Sequence, residues 1–379
     1  MNTLKFGNGE WYGKKDTILA YNDENSNFKP LPFNFDRASS ATVINKDGLI
    51  ETVGSGEPRI DYKDDSKGAL LLEPQRTNQM INSEDLTSWS KQGATTISLE
   101  NINNPVNSTN ANLITVDSNG IYANRTTPNA SSVYAISFWL YKNNNIGNIL
   151  LDNAQGGTYG KWEINLDLLP NSFVRIDKSH PSVNVLYEFT TLASGDIAPF
   201  FKSPEGTKSF YVTGFQLEQG SYATSYIPTQ GSIGTRVAES SLQGGFQDKN
   251  IFGSTQGTAL FEFVWDELNY IFNFNVGGVE VIRIFNDNYT QWRIRDTISS
   301  TWYYTGFTAT KGQKTKIALR WSGTEIIAFQ NGVKSTNVGT LGSNIAVESI
   351  TQNNLNNTSN IQFYNTALTD QELINLTTI

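Results

Sequence analysis

The sequence predicts an all-β protein made of layered sandwiches. Three observations carry that expectation: apolar residues alternate with a period of two, turn-forming residues interrupt the chain every few positions, and helical periodicity is confined to the last few residues. With 21 Phe, 16 Tyr and 8 Trp among 379 residues, the chain has bulky apolar surface for several packed cores, and its 31 Gly suit frequent reversals. At roughly 100–200 residues per domain, this length predicts two or three domains.

Three stretches differ in texture. Residues 1–78 carry dense punctuation, including Gly48, Gly54, Gly56, Pro58, Gly68 and Pro74, so their strands must be short. Thr17–Tyr21, Ala41–Asn45 and Ala69–Leu72 are the expected ones, forming a small N-terminal β module. Residues 79–234 alternate cleanly over Val133–Tyr141, where both faces are apolar, as in a central sandwich strand. Alternation returns at Val185, Tyr187 and Phe189 and at Phe210 to Leu217. The polar run Asn101–Asn112 reads as a loop. Residues 235–379 place Ala259, Phe261, Phe263 and Trp265 on one strand face, with Glu262 and Asp266 on a solvated opposite face. Tyr270, Phe272, Phe274 and Val276 follow, then Ile317–Trp321. Asn331-Gly332 predicts a tight hairpin, because a type I′ turn needs positive φ at both central residues. Thr369-Asp370-Gln371-Glu372 has the spacing of a capping box, with Leu368, Leu373 and Leu376 as the apolar side of a short C-terminal helix.

Composition also excludes functions. The net charge is -8 and no basic run offsets it, so nucleic acid is not an expected partner. There is no cysteine, which removes disulfides, thiolate catalysis and Cys-ligated zinc. The opening MNTLKFGNGEWYGKKD lacks a basic region followed by an apolar one, and no apolar run approaches the ~18 residues needed to cross a bilayer. The expectation is synthesis in a cytoplasm, no signal peptide and no membrane insertion.

Several runs resemble the N-terminal module of phage fibre and virion appendage proteins of crAss-like and related Bacteroidales phages. They are Phe35-Asp36-Arg37-Ala38-Ser39-Ser40-Ala41-Thr42, Gly48-Leu49-Ile50-Glu51, Pro58-Arg59-Ile60-Asp61-Tyr62 and Leu71-Leu72-Glu73-Pro74-Gln75-Arg76-Thr77-Asn78. Gly214-Phe215-Gln216-Leu217-Glu218, Thr224-Ser225-Tyr226-Ile227-Pro228-Thr229 and Thr235-Arg236 are similar to the close of that family's carbohydrate-binding-like jelly roll. Residues 235–379 look like a concanavalin A/laminin G-like sandwich, carried by Ile317–Trp321, the Asn331-Gly332 hairpin and Phe363-Tyr364-Asn365-Thr366-Ala367-Leu368. The resemblance implies a homotrimeric structural component of a head or tail fibre. It would be located in the virion, joined to other virion proteins of capsid or tail, and in contact with host-surface glycans.

Groups suited to turnover are sparse. The one histidine, His180, has no nucleophile motif beside it and reads as a loop residue. Acids such as Asp152, Glu163, Glu262, Asp266 and Glu280 are scattered, and no pair is placed for glycoside hydrolysis. The expectation is a non-enzymatic protein. The alternative is a glycan-degrading depolymerase, or an accessory carbohydrate-binding module of a glycosidase. No cofactor is required. A structural calcium ion is left open, with Asp287 flanked by Asn286 and Asn288, or Asp64 with Asp65, as oxygen sources and no ligands assigned.

Glycan binding calls for aromatic platforms beside directional hydrogen-bonding groups. Trp302, Tyr303, Arg293 and Arg295 form the densest such cluster. Strand alternation puts Arg293 and Arg295 on one face and Trp292 on the other. Trp302-Tyr303-Tyr304 cannot all be buried on one side. Arg37, Arg59, Glu73 and Arg76, with Glu51 and Glu57 nearby, are the expected attachment or structural groups of the first module. They either lock its loops through Arg–carboxylate pairs or dock it onto a virion partner.

Overall fold

The computed structural model describes residues 3–6, 11–14, 17–22, 27–64, 66, 68–106, 109–156, 158–239, 253–265, 271–287, 291–308, 310, 312–352 and 358–379. Up to residue 34, and at 271, 285–287 and 351–352, the description is of backbone alone. The chain is all-β, with a 3-10 turn at Leu166–Leu168 and a C-terminal helix at Asp370–Thr377. No helix among the described residues is long and apolar enough to cross a membrane.

The chain forms two compact units. One gathers residues 1–47, 53–74 and 238–379; the other gathers 48–52 and 75–237. Where the sequence suggests a separate module over residues 1–78, most of that segment packs into the unit holding the C-terminal sandwich. The reason is apolar burial: Phe35, Leu70 and Leu72 join the same core as Phe261, Trp292 and Ile317. A Gly-rich segment of short strands buries too little surface to hold itself together.

In the first unit, a nine-stranded sheet runs through Val333–Lys334, Glu325–Gln330, Lys314–Ser322, Gln256–Val264, Thr358–Tyr364, Ala69–Leu71 and Arg59–Asp61. Thr3–Phe6 pairs with Thr358–Tyr364, and Gly339–Thr340 with Glu325–Gln330. A five-stranded sheet runs through Thr301–Thr308, Gln291–Asp296, Val279–Asp287, Ile271–Val276 and Ser349–Gln352. Between the two sheets lie Phe261, Phe263, Phe272, Phe274, Trp292 and Trp321. The expected alternation holds: Ala259, Phe261 and Phe263 face this core. Leu260 faces a second cluster with Phe329, Tyr364, Leu368 and Leu373 under the C-terminal helix. The structure corrects the expectation for Glu262, which lies between Lys314 and Asn360 of the two flanking strands. Far from lying on a solvated face, it is buried and bonded to Lys314 Nζ at 3.2 Å. Asp266 lies outside the described residues.

Turn chemistry follows residue type. Asn331 and Gly332 have φ of 50° and 80°, and Gln330 pairs with Val333 across them, as a type I′ hairpin requires. The helix starts in the expected capping box: the Glu372 N–H donates to Thr369 Oγ1 at 3.3 Å and the Thr369 N–H returns to Glu372 Oε2 at 2.8 Å.

The second unit is also a sandwich. Its six-stranded sheet orders Ser90–Lys91, Gly120–Tyr122, Pro199–Lys202, Asn148–Asn153, Lys161–Asn165 and Val183–Tyr187. Its five-stranded sheet orders Thr96–Asn101, Asn110–Val116, Lys208–Gln219, Tyr134–Tyr141 and Val174–Ile176. Tyr134–Tyr141 is buried on both faces, with Phe138 in the main core and Trp139 in a smaller cluster with Ile50, Val106 and Tyr226. The expected loop over Asn101–Asn112 is shorter than the sequence suggests. Asn101 pairs with Asn110, because a hairpin ladder overrides the weak strand preference of Asn.

Candidate functional site

The five-stranded sheet of the first unit turns one face to its core and the other outward, and the outward face holds the candidate site. Register determines its composition. Arg295 is the cross-strand partner of Trp302 on one side and of Arg283 on the other, and Arg283 in turn pairs with Asn273. Arg293 is the partner of Tyr304 in the next row. Side chains directly opposite one another in an antiparallel sheet have Cβ atoms about 5 Å apart, so each arginine can lie on its aromatic neighbour. The Arg295 guanidinium carbon sits 5.2 Å from the Trp302 ring centre, and that of Arg293 sits 4.7 Å from Tyr304.

Trp302 and Tyr304 remain 42% and 49% exposed, enough to leave ring surface for a ligand. Trp292 is fully buried, as alternation predicts. Tyr303 departs from the expected cluster. It packs against the core, and its hydroxyl donates to the Thr340 carbonyl. A period of two cannot put Trp302 and Tyr303 on one face, so Tyr304 takes its place beside Trp302. A register shift in the pairing of Gln291–Asp296 with Thr301–Thr308 falls next to Gly306, whose φ is 78°. Thr305 Oγ1 closes this bulge by donating to the Trp292 carbonyl at 2.7 Å.

Electrostatics on this face are uneven. Arg283 is held by Glu280, with Nε and Nη2 at 3.1 and 2.5 Å from Oε2, and by Asn273 Oδ1 at 3.2 Å. Arg295 has no ion pair among the described residues, and its enclosed Nε has no hydrogen-bond partner among them. At the end of the ladder Asp296 anchors the following turn, accepting from Ser299 Oγ at 2.6 Å and from the N–H groups of Ile298, Ser299 and Gly342. Burial opposes its charge, but these donors outweigh burial and hold its carboxyl below the usual range. The face thus offers planar cations stacked on aromatic rings, suited to binding sugar rings and their oxygen substituents.

The remaining expected residues fall elsewhere. Arg37, Arg59 and Glu73 meet in one buried network of the first unit, but their central partner is Glu239, not Glu51 or Glu57. Arg37 Nη1 lies 2.8 Å from Glu239 Oε1, Arg59 Nε lies 2.8 Å from the same oxygen, and Arg59 Nη2 reaches both Glu239 and Glu73. The Glu73 N–H donates to Glu239 Oε2 at 2.9 Å. Burial opposes the charge of both arginines. At Arg37 burial prevails and lowers the pKa; at Arg59 the carboxylates of Glu73 and Glu239 outweigh it. Neither guanidinium is presented to solvent. Arg76 belongs to the second unit, over the Tyr222 ring at 5.2 Å. Glu239 was illegible in sequence because it follows a strand 166 residues away from Glu73, with no motif linking them.

A second acid also escapes sequence reasoning. Burial raises the Glu84 carboxyl above its ordinary range, beside the Tyr226 hydroxyl at 3.1 Å. That hydroxyl also contacts Ser83 Oγ at 2.6 Å. His180 is a loop residue: Nδ1 accepts from the Ser182 N–H at 3.2 Å and meets Ser182 Oγ at 2.9 Å. Burial lowers its pKa against the pull of Asp177. Among the described residues no group of three or more His, Asp or Glu could hold a metal ion. Asp65 and Asn288, and the side chains of Asn286 and Asp287, lie outside the described residues.

No protein-family model and no curated protein matches the chain. Among solved structures, the tandem CBM22-1-CBM22-2 domain of Paenibacillus barcinonensis Xyn10C aligns at 9% identity and a TM-score of 0.27, covering 80% of this chain and 93% of that one. The CBM40 of the Ruminococcus gnavus IT-sialidase, bound to alpha2,3 sialyllactose, aligns at 16% identity and a TM-score of 0.25, covering 33% and 83%. Trypanosoma rangeli sialidase aligns at 12% identity and a TM-score of 0.27, covering 95% of this chain but 65% of the other. Alignments this loose transfer no site or activity.

Proposed function

We propose that the chain is an adhesive subunit of a phage virion appendage, which binds host-surface glycan through the outward face of the five-stranded sheet. The observation that carries the binding role is the ladder of Trp302, Tyr304, Arg293 and Arg295. It presents two half-exposed rings, each backed by a guanidinium, on rigid paired strands. The virion role is supported by the resemblance of residues 35–78 and 214–236 to phage fibre proteins. A modest face repeated over a homotrimer, and over many fibres on a particle, would hold a cell surface by avidity.

The test is a glycan array probed with the full chain and with a Trp302→Ala/Tyr304→Ala variant, both checked for unchanged melting. Binding by the parent and its loss in the variant is the expected result. An array blank for the parent would refute adhesion through this face. Shortening of host capsular polysaccharide by the pure protein would replace the reading with a depolymerase. Locating the chain by electron microscopy on purified particles tests the appendage role separately.

A further inference from the structure

We infer that this face selects acidic glycans, polysaccharides bearing carboxylate or sulfate groups, over neutral ones. The inference rests on the glycan-binding reading above and names the ligand class of the same site.

Three arginines share the outward face: Arg283, Arg293 and Arg295. Arg283 and Arg295 are direct cross-strand partners, a placement in which like charges repel. Glu280 offsets the charge of Arg283. Nothing among the described residues forms an ion pair with Arg295, whose Nε is enclosed without a hydrogen-bond partner there. This concentration of cations stands in a chain of net charge -8, so it is a local feature and not a general bias.

The Arg295 guanidinium lies over the Trp302 ring, its carbon 5.2 Å from the ring centre, which limits its freedom. A restrained planar fork is pre-organised for the two oxygens of a carboxylate or sulfate, which a mobile lysine is not. The exposed parts of the Trp302 and Tyr304 rings lie beside it, where the C–H face of the sugar carrying that group would sit. A neutral glycan would use the rings and leave Arg295 without a counter-charge. An acidic one supplies that counter-charge, and that difference is the source of selectivity.

Single-stranded nucleic acid also combines anionic oxygens with stackable rings. It is disfavoured by the overall negative charge, which repels an extended polyanion beyond the patch.

The experiment measures binding of the full chain to dextran, dextran sulfate and polygalacturonate by affinity electrophoresis, with oligo-dT as a further probe, at 50 and 300 mM salt. The expected result is retention by dextran sulfate and polygalacturonate but not by dextran, weaker at the higher salt. Arg295→Gln should weaken retention by about tenfold or more. Arg295→Lys should fall between, and neither should change the melting temperature. Equal retention by dextran, or an Arg295→Gln variant that binds as the parent does, overturns the selectivity while leaving glycan binding intact. Absence of binding to every polysaccharide and to the array sinks both readings. Tighter binding to oligo-dT assigns the face to nucleic acid. A change in sedimentation on Arg295→Gln, without change in retention, assigns it to a second copy of the chain; either outcome overturns the inference.

Discussion

Replacing Glu239 by Gln removes the carboxylate on which two buried arginines converge. In the native chain that carboxylate accepts from Arg37 Nη1, from Arg59 Nε and Nη2, and from the Glu73 N–H. Glutamine keeps one acceptor oxygen and turns an amide donor toward guanidinium donors. Glu73 then remains bonded to Arg59, and the Arg37–Glu239 ion pair is lost. Breaking a buried pair by removing one partner costs about 3–5 kcal/mol. The unit concerned holds residues 1–47, 53–74 and 238–379, a size at which each kcal/mol lowers the melting temperature by about 2–4 °C. A fall of roughly 10 °C is therefore expected.

The chain has two units, so a single midpoint would mislead. Differential scanning calorimetry should resolve two transitions, with one moving and the other staying. Hydrogen exchange should lose protection in peptides covering 35–42 and 59–73. An Arg37→Met/Arg59→Met/Glu239→Leu variant should recover at least half of the loss, because a packed apolar set can replace a buried ionic one. A shift below about 2 °C for Glu239→Gln is what a surface pair would give, and it would refute a role for the network in joining these segments.

Two further perturbations test the account. Asp296→Asn should cost about 1–3 kcal/mol at pH 7 by weakening the three bonds that close the 297–300 turn and the fourth from the Gly342 N–H. Because the folded state depresses this carboxyl, its contribution is full above the ordinary value of 3.8 and lost as pH falls through the lower folded value. Urea midpoints of parent and variant should therefore converge as pH falls below 3.8; a gap that stays constant with pH would count against it. Gly120→Ala would put a Cβ 2.1 Å from the Phe201 carbonyl oxygen and 2.4 Å from the Phe200 ring. The backbone must move, so the calorimetric transition of the second unit should fall by the equivalent of about 1–3 kcal/mol, and an unchanged one would show that the strands are not packed this closely.

Part of the candidate site could be read from the chain because strand periodicity is local. Gln291–Asp296 alternates so that Trp292 and Ile294 must face opposite to Arg293 and Arg295, and the structure agrees. The same rule was available for Trp302-Tyr303-Tyr304, yet alternation alone does not say which of the two parities points inward. That depended on pairing: Ile294, already in the core, sits opposite Tyr303 and carries it inward.

The sequence by itself determined the all-β class, the type I′ turn at Asn331-Gly332 and the capping box at Thr369–Glu372, since each depends on residues a few positions apart. Tertiary structure alone decided that Phe35, Leu70 and Leu72 share a core with Phe261, that Glu239 closes the arginine network, and that Glu262 is buried beside Lys314 and Asn360 of the flanking strands. Each of these requires segments far apart in sequence to meet. What brings them together is the burial of apolar surface summed over whole sheets, a quantity that no local pattern in the chain encodes.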